Sequence, residues 1–348
     1  MILSMNSTPA VATHQVRAAR FWRRLAYTLA ALTVLVAGVY FAGPRLSFGP
    51  NQPTAREAPP TELTVLQDWL SASEQKVPGI RPHTEKRVTW AGPLASRTPW
   101  AVVYVHGFGA SRLETAPLAQ IVAKGLGANL FETRLTGHGQ GSEPMGQARV
   151  QDWLADVTEA ARIGAMLGER VLLISCSTGS TLGTWLGLER QGPAVDAQVF
   201  ISPNFGPKDK RSDLLLGPWG EQLAYAIAGQ TYGVAATDPA EKQAWTTPYP
   251  TRALFPMMTL VQKVRQSDLS QFSTPVLVFY SEADQTVDAA LTRQAFERMG
   301  SKRKTLQVVT DSESKGQHVL AGDIRAPKST QPMAQAILAW VGALSRSP

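Results

Sequence analysis

The sequence predicts an α/β fold with a mostly parallel central sheet flanked by helices, and two observations carry that prediction. From about residue 85 onward, short apolar runs alternate with amphipathic stretches, which is the pattern of alternating strands and helices. The runs VVYV, VLLI and VLVF are apolar at every position, as expected for strands that are covered on both faces. With 348 residues, the chain is long enough for one large domain and an additional segment.

Seven strands are predicted, each on a short apolar run. They are expected at Arg87–Ala91, Ala101–His106, Asn129–Arg134, Val171–Ser175, Gln198–Ser202, Val276–Tyr280 and Thr305–Val309. Helices are predicted near Glu114–Leu126, Val150–Leu167, Thr178–Arg190, Ala289–Met299 and Gln331–Leu344, with a further helix over residues 61–75 leading into the domain.

The N-terminal region contains an apolar segment that is long enough to cross a membrane. Residues 25–43 form a run of 19 without a charge, roughly 28 Å as a helix. Four arginines lie within residues 17–24, and only Arg45 follows closely. The positive-inside rule therefore predicts that residues 1–24 stay in the cytoplasm and that the rest of the chain is exported.

Two interpretations of this segment stay open. An uncleaved signal anchor is favoured because the run is long for a signal peptide and no clear A-x-A site closes it. A cleaved signal peptide, with the protein then secreted, is the alternative, since Ala-Gly-Pro follows at 42–44. The expected organisation is a basic cytoplasmic segment (1–24), a transmembrane anchor (25–43), a linker (44–60) and an α/β domain (61–348).

Charge and cysteine content exclude some classes of function. The formal net charge is +7, but residues 1–50 hold five arginines and no acidic residue. The remainder carries 29 basic against 27 acidic residues, so no basic surface for nucleic acid is expected. Cys176 is the only cysteine, so an intramolecular disulfide is impossible, and no Cys/His cluster suggests a structural zinc site.

Residues 203–272 interrupt the alternation of strands and helices. This stretch is rich in Pro, Gly and large apolar residues, and it lies between two predicted strands. It is interpreted as a cap, or lid, over the carboxyl edge of the sheet. Most of its apolar residues are expected to form the cap's own core.

A candidate nucleophile lies between a predicted strand and a predicted helix. Ser175-Cys176-Ser177-Thr178-Gly179 is one substitution away from the G-x-S-x-G elbow, in which a serine stands at the apex of a sharp turn. Small neighbours are needed because the turn is tight, and Gly179 meets that need. Ser175 replaces the usual first glycine. The alternative interpretation is an ordinary Ser/Thr helix cap.

A serine hydroxyl needs a general base, and the histidines are few enough to compare. His14 lies in the N-terminal tail, and His83 lies before the sheet. His106 and His138 occupy glycine-rich turns. His318 is the only histidine downstream of the predicted cap, after the last predicted strand, and is the expected base.

A carboxylate that orients the base is expected in the loop after the strand at Val276–Tyr280. Asp284 is the best placed candidate, four residues past the end of that strand. Asp288 resembles the N-cap of the next helix, and Glu282 is a reserve candidate.

An oxyanion hole is expected from two backbone N–H groups. The strand that begins at Ala101 runs into His106-Gly107-Phe108-Gly109, where glycines let the backbone turn an N–H into the site. The expected donors are Phe108 and Thr178, the latter following the nucleophile. A phosphate-binding loop has little support because no G-x-x-x-x-G-K-[ST] motif is present.

Five motifs in the correct order carry a family resemblance over roughly residues 85–345. They are HGFGAS (106–111), RLTGHG (134–139), SCSTG (175–179), EAD (282–284) and GQH (316–318). The chain resembles α/β-hydrolases of the group that contains monoacylglycerol lipases, lysophospholipases and serine aminopeptidase-like hydrolases. The order Ser177, Asp284, His318 is that of their triad. The resemblance implies a structural role for His138. A serine nucleophile argues against the dehalogenases and epoxide hydrolases of this fold, which use an aspartate.

The expected function is hydrolysis of lipophilic carboxylic esters, such as monoacylglycerols or lysophospholipids, through an acyl-enzyme. The expected partners are a small-molecule acyl ester and the membrane, with no nucleic acid, no obligate protein partner and no cofactor. An aminopeptidase would need acidic groups for a substrate ammonium, for which the predicted cap offers Asp213, Glu221, Asp238 and Glu241. An acyltransferase would form the same acyl-enzyme, and a non-enzymatic, membrane-tethered binding module is the least favoured interpretation.

Overall fold

The computed structural model describes residues 10–93 and 95–344, with side chains from residue 19 onward. Residues 1–9 of the predicted cytoplasmic segment thus lie outside the described residues. His14 lies in the part of the N-terminal helix whose side chains are not described. A seven-stranded sheet forms the centre of the molecule, in the order β1-β3-β2-β4-β5-β8-β9. The strands are β1 (Arg87–Thr89), β2 (Thr98–Val105), β3 (Asn129–Glu132), β4 (Gly168–Cys176), β5 (Ala197–Ile201), β8 (Val276–Tyr280) and β9 (Lys304–Val308).

The sheet is mostly parallel, as predicted. Only β1 pairs antiparallel, with β3, while the other pairs are parallel. All seven predicted strands are present, with shifts at their ends. Two short strands, β6 (Thr231–Tyr232) and β7 (Tyr249–Pro250), form a separate antiparallel pair.

Helices cover both faces of the sheet. They are α1 (Ala10–Phe41), α2 (Leu66–Gln75), α3 (Leu118–Leu126), α4 (Ser142–Gln147), α5 (Val150–Leu167), α6 (Thr178–Leu188), α7 (Gly220–Ala228), α8 (Pro239–Ala244), α9 (Leu254–Gln266), α10 (Ala289–Arg298) and α11 (Pro327–Leu344). The predicted helix at 114–126 begins late, at Leu118. Ala116 precedes Pro117, and a residue before proline is disfavoured in the helical region.

Alternate residues of one strand enter two different cores. Val102 and Tyr104 of β2 pack with α3 and α11, whereas Val103 and Val105 pack with α5, α6 and α9. Because both faces are covered, a strand in this sheet is apolar at successive positions. This explains why the strand signal was a continuous apolar run.

Residues 202–275, which we call the insertion, connect β5 to β8. Its last helix, α9, packs on α6, and Met258, Leu260 and Val264 belong to the main core. By contrast, α7 buries only Gly220 and Ala224. A cap over the sheet therefore stays a prediction for the part of the insertion that precedes α9.

The N-terminal helix α1 leads into a segment that lies on the domain. Ala19–Phe41 is long and apolar enough to cross a membrane, which fits a membrane anchor or a signal sequence. Residues 44–56, which we call the strap, then run over α5 and α6. The Trp185 indole N–H donates to Asn51 Oδ1 at 2.9 Å, and the Thr54 N–H donates to the Gln151 carbonyl at 3.0 Å.

Candidate active site

The turn between β4 and α6 holds Ser177 in a strained backbone conformation. Its φ is 52° and its ψ is −117°, a region that residues with a side chain rarely occupy. A Cβ on Gly179 would collide with the carbonyl oxygens of Val105 and His106, so only glycine fits there. The turn therefore has the shape of a nucleophile elbow at the carboxyl end of β4.

The serine at position 175 is accommodated below this turn. The Ser175 hydroxyl donates to Ser180 Oγ at 3.1 Å, and the Ser180 hydroxyl donates to the Ser175 carbonyl at 3.0 Å. Both residues are fully buried. Because each hydroxyl has a partner, replacing the usual glycine leaves no orphaned polar group beneath the turn.

His318 and Asp284 form a hydrogen-bonded pair in the loops after β9 and β8. His318 Nδ1 lies 2.8 Å from Asp284 Oδ2. The other oxygen, Asp284 Oδ1, accepts hydrogen bonds from the N–H groups of Thr286 at 2.7 Å and Val287 at 2.9 Å. A carboxylate next to Nδ1 places the imidazole proton there and leaves Nε2 as a free base.

The other acidic residues of the Asp284 loop have different partners. Asp288 accepts from the Ala290 N–H at 2.8 Å and caps α10, as predicted. Glu282 forms an ion pair with Arg293 and accepts from the Tyr280 hydroxyl at 2.8 Å. The reserve candidate Glu282 is therefore engaged at the surface rather than with His318.

The two predicted oxyanion donors have unoccupied N–H groups. Among the described residues, neither the Phe108 N–H nor the Thr178 N–H donates to another group. The Phe108 loop lies against the elbow, since a Cβ on Gly107 would stand 3.1 Å from the Ser177 Cβ. The arrangement leaves two donors at one edge of the sheet, next to the candidate nucleophile.

The structure does not join Ser177 to His318. The Ser177 N–H donates to the Ile201 carbonyl at 2.9 Å, and its own carbonyl accepts from the Asn204 N–H at 3.2 Å. Its hydroxyl makes no hydrogen bond with any residue that the structure describes. The site thus holds a paired base and a separate serine at the same edge of the sheet.

Glu114 is a buried acid beside the site that sequence reasoning did not single out. Its carboxylate accepts from the Gly107 N–H at 2.6 Å and from the Tyr104 hydroxyl at 2.9 Å. Burial raises the pKa of Glu114 to about 7. In sequence this residue resembles an ordinary acid in the first turn of a helix, and only the late start of α3 moves it beneath the Phe108 loop.

Buried aromatic rings pack around Phe108 behind the site. The Phe108 ring packs edge to face on His138, Trp153 and Tyr249, with ring centroids 5.2 to 6.0 Å apart. The His138 Nδ1–H donates to the Thr136 carbonyl at 3.1 Å, and burial lowers the pKa of His138 to about 4. This imidazole is neutral at pH 7, so the ring cluster behind Phe108 carries no charge.

No group of three or more His, Cys, Asp or Glu side chains is arranged to hold a metal ion within the described residues. His83, the histidine before the sheet, is exposed, and the rings of His106 and His138 are fully buried. The His106 ring accepts from the Leu135 N–H at 3.0 Å through Nε2. Of the four histidines with described side chains, only His318 pairs with a carboxylate.

Comparisons with known proteins agree with the fold. The model of a family described as serine aminopeptidase, S33, matches residues 96–313, which is more than half of the chain and ends shortly before His318. No curated protein matches the chain.

Three solved structures share the fold. One, reported with the metagenome-derived lipolytic enzymes LipS and LipT, is 19% identical with a TM-score of 0.61 and covers 76% of this chain and 99% of its own. The monoacylglycerol lipase of Paleococcus ferrophilus is 14% identical, TM-score 0.55, covering 74% and 98%. A soluble variant of the Saccharomyces cerevisiae monoglyceride lipase, bound to a substrate analog, is 11% identical, TM-score 0.57, covering 74% and 91%.

Proposed function

The chain belongs to the serine aminopeptidase S33 family of α/β-hydrolases, and from that premise we propose that it hydrolyses lipophilic carboxylic esters with Ser177 as nucleophile. The observation that carries the proposal is the strained Ser177 elbow at the same sheet edge as the hydrogen-bonded pair of His318 and Asp284. A serine alone is a weak nucleophile, and a histidine oriented by a carboxylate supplies the base that it needs.

The proposed mechanism is acyl transfer to water. His318 Nε2 accepts the hydroxyl proton as Ser177 Oγ attacks the carbonyl carbon, while Asp284 holds Nδ1–H and stabilises the charged ring. The N–H groups of Phe108 and Thr178 stabilise the oxyanion. The imidazolium then donates its proton to the departing alcohol. Water, deprotonated by His318, attacks the acyl-enzyme and releases the acid.

The first step requires a hydrogen bond from Ser177 Oγ to His318 Nε2. This bond is absent among the described residues, and catalytic hydrogen bonds of that kind often form fully only when substrate is bound. We propose that the Ser177 side chain turns toward His318 when an ester occupies the site.

An acyl group without charge fits the proposed site best. The half-buried Phe108 ring offers apolar surface backed by the buried rings of Trp153 and Tyr249, and His138 is neutral. Two of the structurally similar proteins are monoacylglycerol or monoglyceride lipases by name, which agrees with a preference for uncharged acyl groups. Monoacylglycerols and lysophospholipids are the proposed substrate class.

Peptide substrates with a free amino group have weaker support. Three of the four acidic residues considered for an ammonium site have other partners. Asp213 pairs with Arg265, Glu241 pairs with Arg325, and Asp238 caps α8. An acyltransferase would share the acyl-enzyme, so the identity of the final acceptor separates it from a hydrolase.

We propose that α1 anchors the enzyme in a membrane with residues 61–348 on the extracytoplasmic side. The basic residues before the apolar span support this orientation. Cleavage of α1 as a signal peptide, which would release the protein, is the alternative outcome, and the N-terminal sequence of the mature protein distinguishes the two.

Hydrolysis rates on p-nitrophenyl esters of graded chain length and on an aminoacyl p-nitroanilide test the proposed function. We expect ester hydrolysis, and a loss of about a thousandfold or more in kcat for Ser177→Ala and for His318→Ala. His83→Ala is the matched control, because this histidine is exposed and lies before the sheet. Near-normal ester hydrolysis by folded Ser177→Ala would contradict the proposal, and hydrolysis of the anilide alone would replace it with a peptidase.

A further inference from the structure

The insertion carries an exposed stretch without any charged residue. Between Glu221 and Asp238 there are 16 consecutive uncharged residues. Within this stretch Ile227 is 70% exposed and Val234 is 87% exposed. Exposed apolar side chains within one uncharged stretch indicate a surface suited to contact with something other than water.

We call Leu214, Ile227, Tyr232 and Val234 the apolar face. All four are large apolar side chains of the insertion that are exposed in the structure. Leu214 precedes α7, Ile227 lies in its last turn, and Tyr232 and Val234 follow it; the buried residues of α7 are only Gly220 and Ala224. The apolar face is therefore not the unburied edge of a large local core.

The last turn of α1 contacts the insertion at the start of α7. The Trp219 indole N–H donates to the Val39 carbonyl at 3.2 Å, and the Trp219 backbone N–H donates to the Pro44 carbonyl at 2.8 Å. Val39 lies two residues before Phe41, where the apolar span ends. If α1 crosses a bilayer, this contact lies at its boundary, where tryptophan is favoured.

The strap holds the domain at that boundary. Only two residues separate Phe41, the end of α1, from Pro44, the first residue of the strap. An extended chain spans at most about 3.6 Å per residue, so this connection is about 10 Å long at most. The rest of the strap is bonded to α5 and α6 rather than free in solvent.

Aromatic side chains connect the apolar face to the candidate active site. Tyr232 pairs with Tyr249 through β6 and β7, and the two rings lie 6.0 Å apart. The Tyr249 ring in turn lies 5.2 Å from the ring of Phe108, one of the proposed oxyanion donors. The ring contacts thus form a continuous row from the exposed Tyr232, through the buried Tyr249, to the half-buried Phe108.

We propose that the apolar face rests on the lipid bilayer that α1 crosses, and that ester substrates enter from that bilayer past Tyr232 and Tyr249. The lipid bilayer is the expected contact because α1, which would cross it, meets the insertion at the start of α7, the helix that carries Ile227. The substrate route rests on the function proposed above, whereas the bilayer contact does not.

Depth-dependent quenching tests the contact on the full chain in phosphatidylcholine liposomes. Single cysteines at Ile227 and Val234 carry an environment-sensitive fluorophore, and doxyl-labelled phosphatidylcholine serves as the quencher. Lys124→Cys is the control, because it is exposed on α3 at the other face of the sheet, and Leu32→Cys reports on α1. The native Cys176 is fully buried, which limits its labelling.

We expect strong quenching at positions 227 and 234 and little at 124. Quenching at 32 with equal values at 227, 234 and 124 would overturn the bilayer contact. Absence of quenching at 32 would also overturn it, because α1 would then not lie in the bilayer. Fluorophosphonate labelling of the same samples separates the bilayer contact from the proposed function. If Ser177 does not react with the probe, the proposed function fails while the quenching result still stands.

A charge introduced on the apolar face tests the substrate route. Ile227→Glu is expected to lower hydrolysis of a long-chain ester in liposomes by about tenfold, because a charge opposes contact with apolar lipid. Hydrolysis of a soluble short-chain ester should stay within about twofold, since that substrate bypasses the bilayer. Val308→Glu is the matched control, an exposed apolar residue on β9. Equal losses on both esters, or no loss on either, would overturn the route.

Discussion

Burial favours the neutral form of two titratable residues beside the Phe108 loop. Burial raises the pKa of Glu114 to about 7 and lowers the pKa of His138 to about 4. Between the ordinary and the shifted pKa, the native state holds a proton on Glu114 that the unfolded state has lost, whereas His138 shows the reverse. The two groups therefore act in opposite directions on stability over nearly the same pH range.

Replacing Glu114 with glutamine should change how the free energy of unfolding depends on pH. The Glu114 contribution to stability is full below pH 4.5 and is lost as the pH rises toward about 7, at a cost of about 3 kcal/mol. Glu114→Gln keeps an oxygen acceptor for the Gly107 N–H but cannot ionise. We expect its free energy of unfolding to rise with pH, relative to wild type, by about that amount between pH 5 and pH 8.

Denaturant unfolding of the full chain in detergent at several pH values measures this difference. Glu57→Gln is the control, since Glu57 is exposed. A pH dependence in Glu114→Gln identical to that of wild type would show that the carboxyl group is ionised throughout and would contradict its buried, neutral state.

At the scale of elements, the elbow depends on how closely α6 approaches β2. Gly179 lies against the backbone carbonyls of Val105 and His106, at the carboxyl end of β2. A helix that begins at Thr178 must pass this strand end without a side chain in between. The close packing that requires glycine at position 179 therefore also fixes the position of Ser177, two residues earlier.

A methyl group at position 179 should displace the elbow. We expect Gly179→Ala to lower the free energy of unfolding by about 1 to 3 kcal/mol, as for other overpacked sites, and to reduce ester hydrolysis. Gly342→Ala is the matched control, because a Cβ there meets no atom within 4 Å. Thermal unfolding and hydrolysis rates measure both effects, and an unchanged Gly179→Ala enzyme would contradict the packing argument.

Strands and helices were predictable where the apolar pattern is strong and local. The strand Val276–Tyr280 and the helix Val150–Leu167 have the predicted bounds, because each is a sharply bounded apolar or amphipathic run. The start of α3 was not predicted, since the effect of Pro117 on Ala116 outweighs the helical pattern before it.

At the scale of the whole molecule, the strap links the apolar helix to the catalytic domain. Arg56 forms an ion pair with Asp156, whose side chain is only 1% exposed, and also donates to Thr136 Oγ1 at 2.8 Å. The Asp156 carboxylate accepts from the Thr136 N–H at 2.6 Å as well. A buried carboxylate with a partner drawn from the strap fixes the strap to α5.

Removing the Arg56 side chain should release the strap. We expect Arg56→Ala to lower the free energy of unfolding by about 1 to 3 kcal/mol, because Asp156 stays buried with one partner fewer. Limited proteolysis should cut within residues 44–56 faster than in wild type. Arg211→Ala is the control, since its ion pair with Asp209 is exposed and lies in the insertion rather than on the strap. Unchanged proteolysis would show that the strap is held by other contacts.

Local motifs predicted the candidate triad, whereas long-range contacts did not appear in the sequence pattern. Ser177, Asp284 and His318 each follow a strong strand signal, and parallel strands bring their carboxyl ends to one edge. Glu114 has no comparable signal, because its burial depends on tertiary packing. The sequence predicted a linker where the strap lies, because its hydrogen bonds join residues almost a hundred positions apart and leave no local pattern. The bond from Thr54 to Gln151 is one example.

Intact-mass analysis after fluorophosphonate treatment of the full chain tests the central claim most directly. An activated Ser177 predicts a single adduct on the wild type, none on Ser177→Ala, and an adduct on Ser175→Gly, which alters the neighbouring serine and restores the usual elbow residue. An adduct that persists in Ser177→Ala, or no adduct on the folded wild type, would contradict Ser177 as the nucleophile.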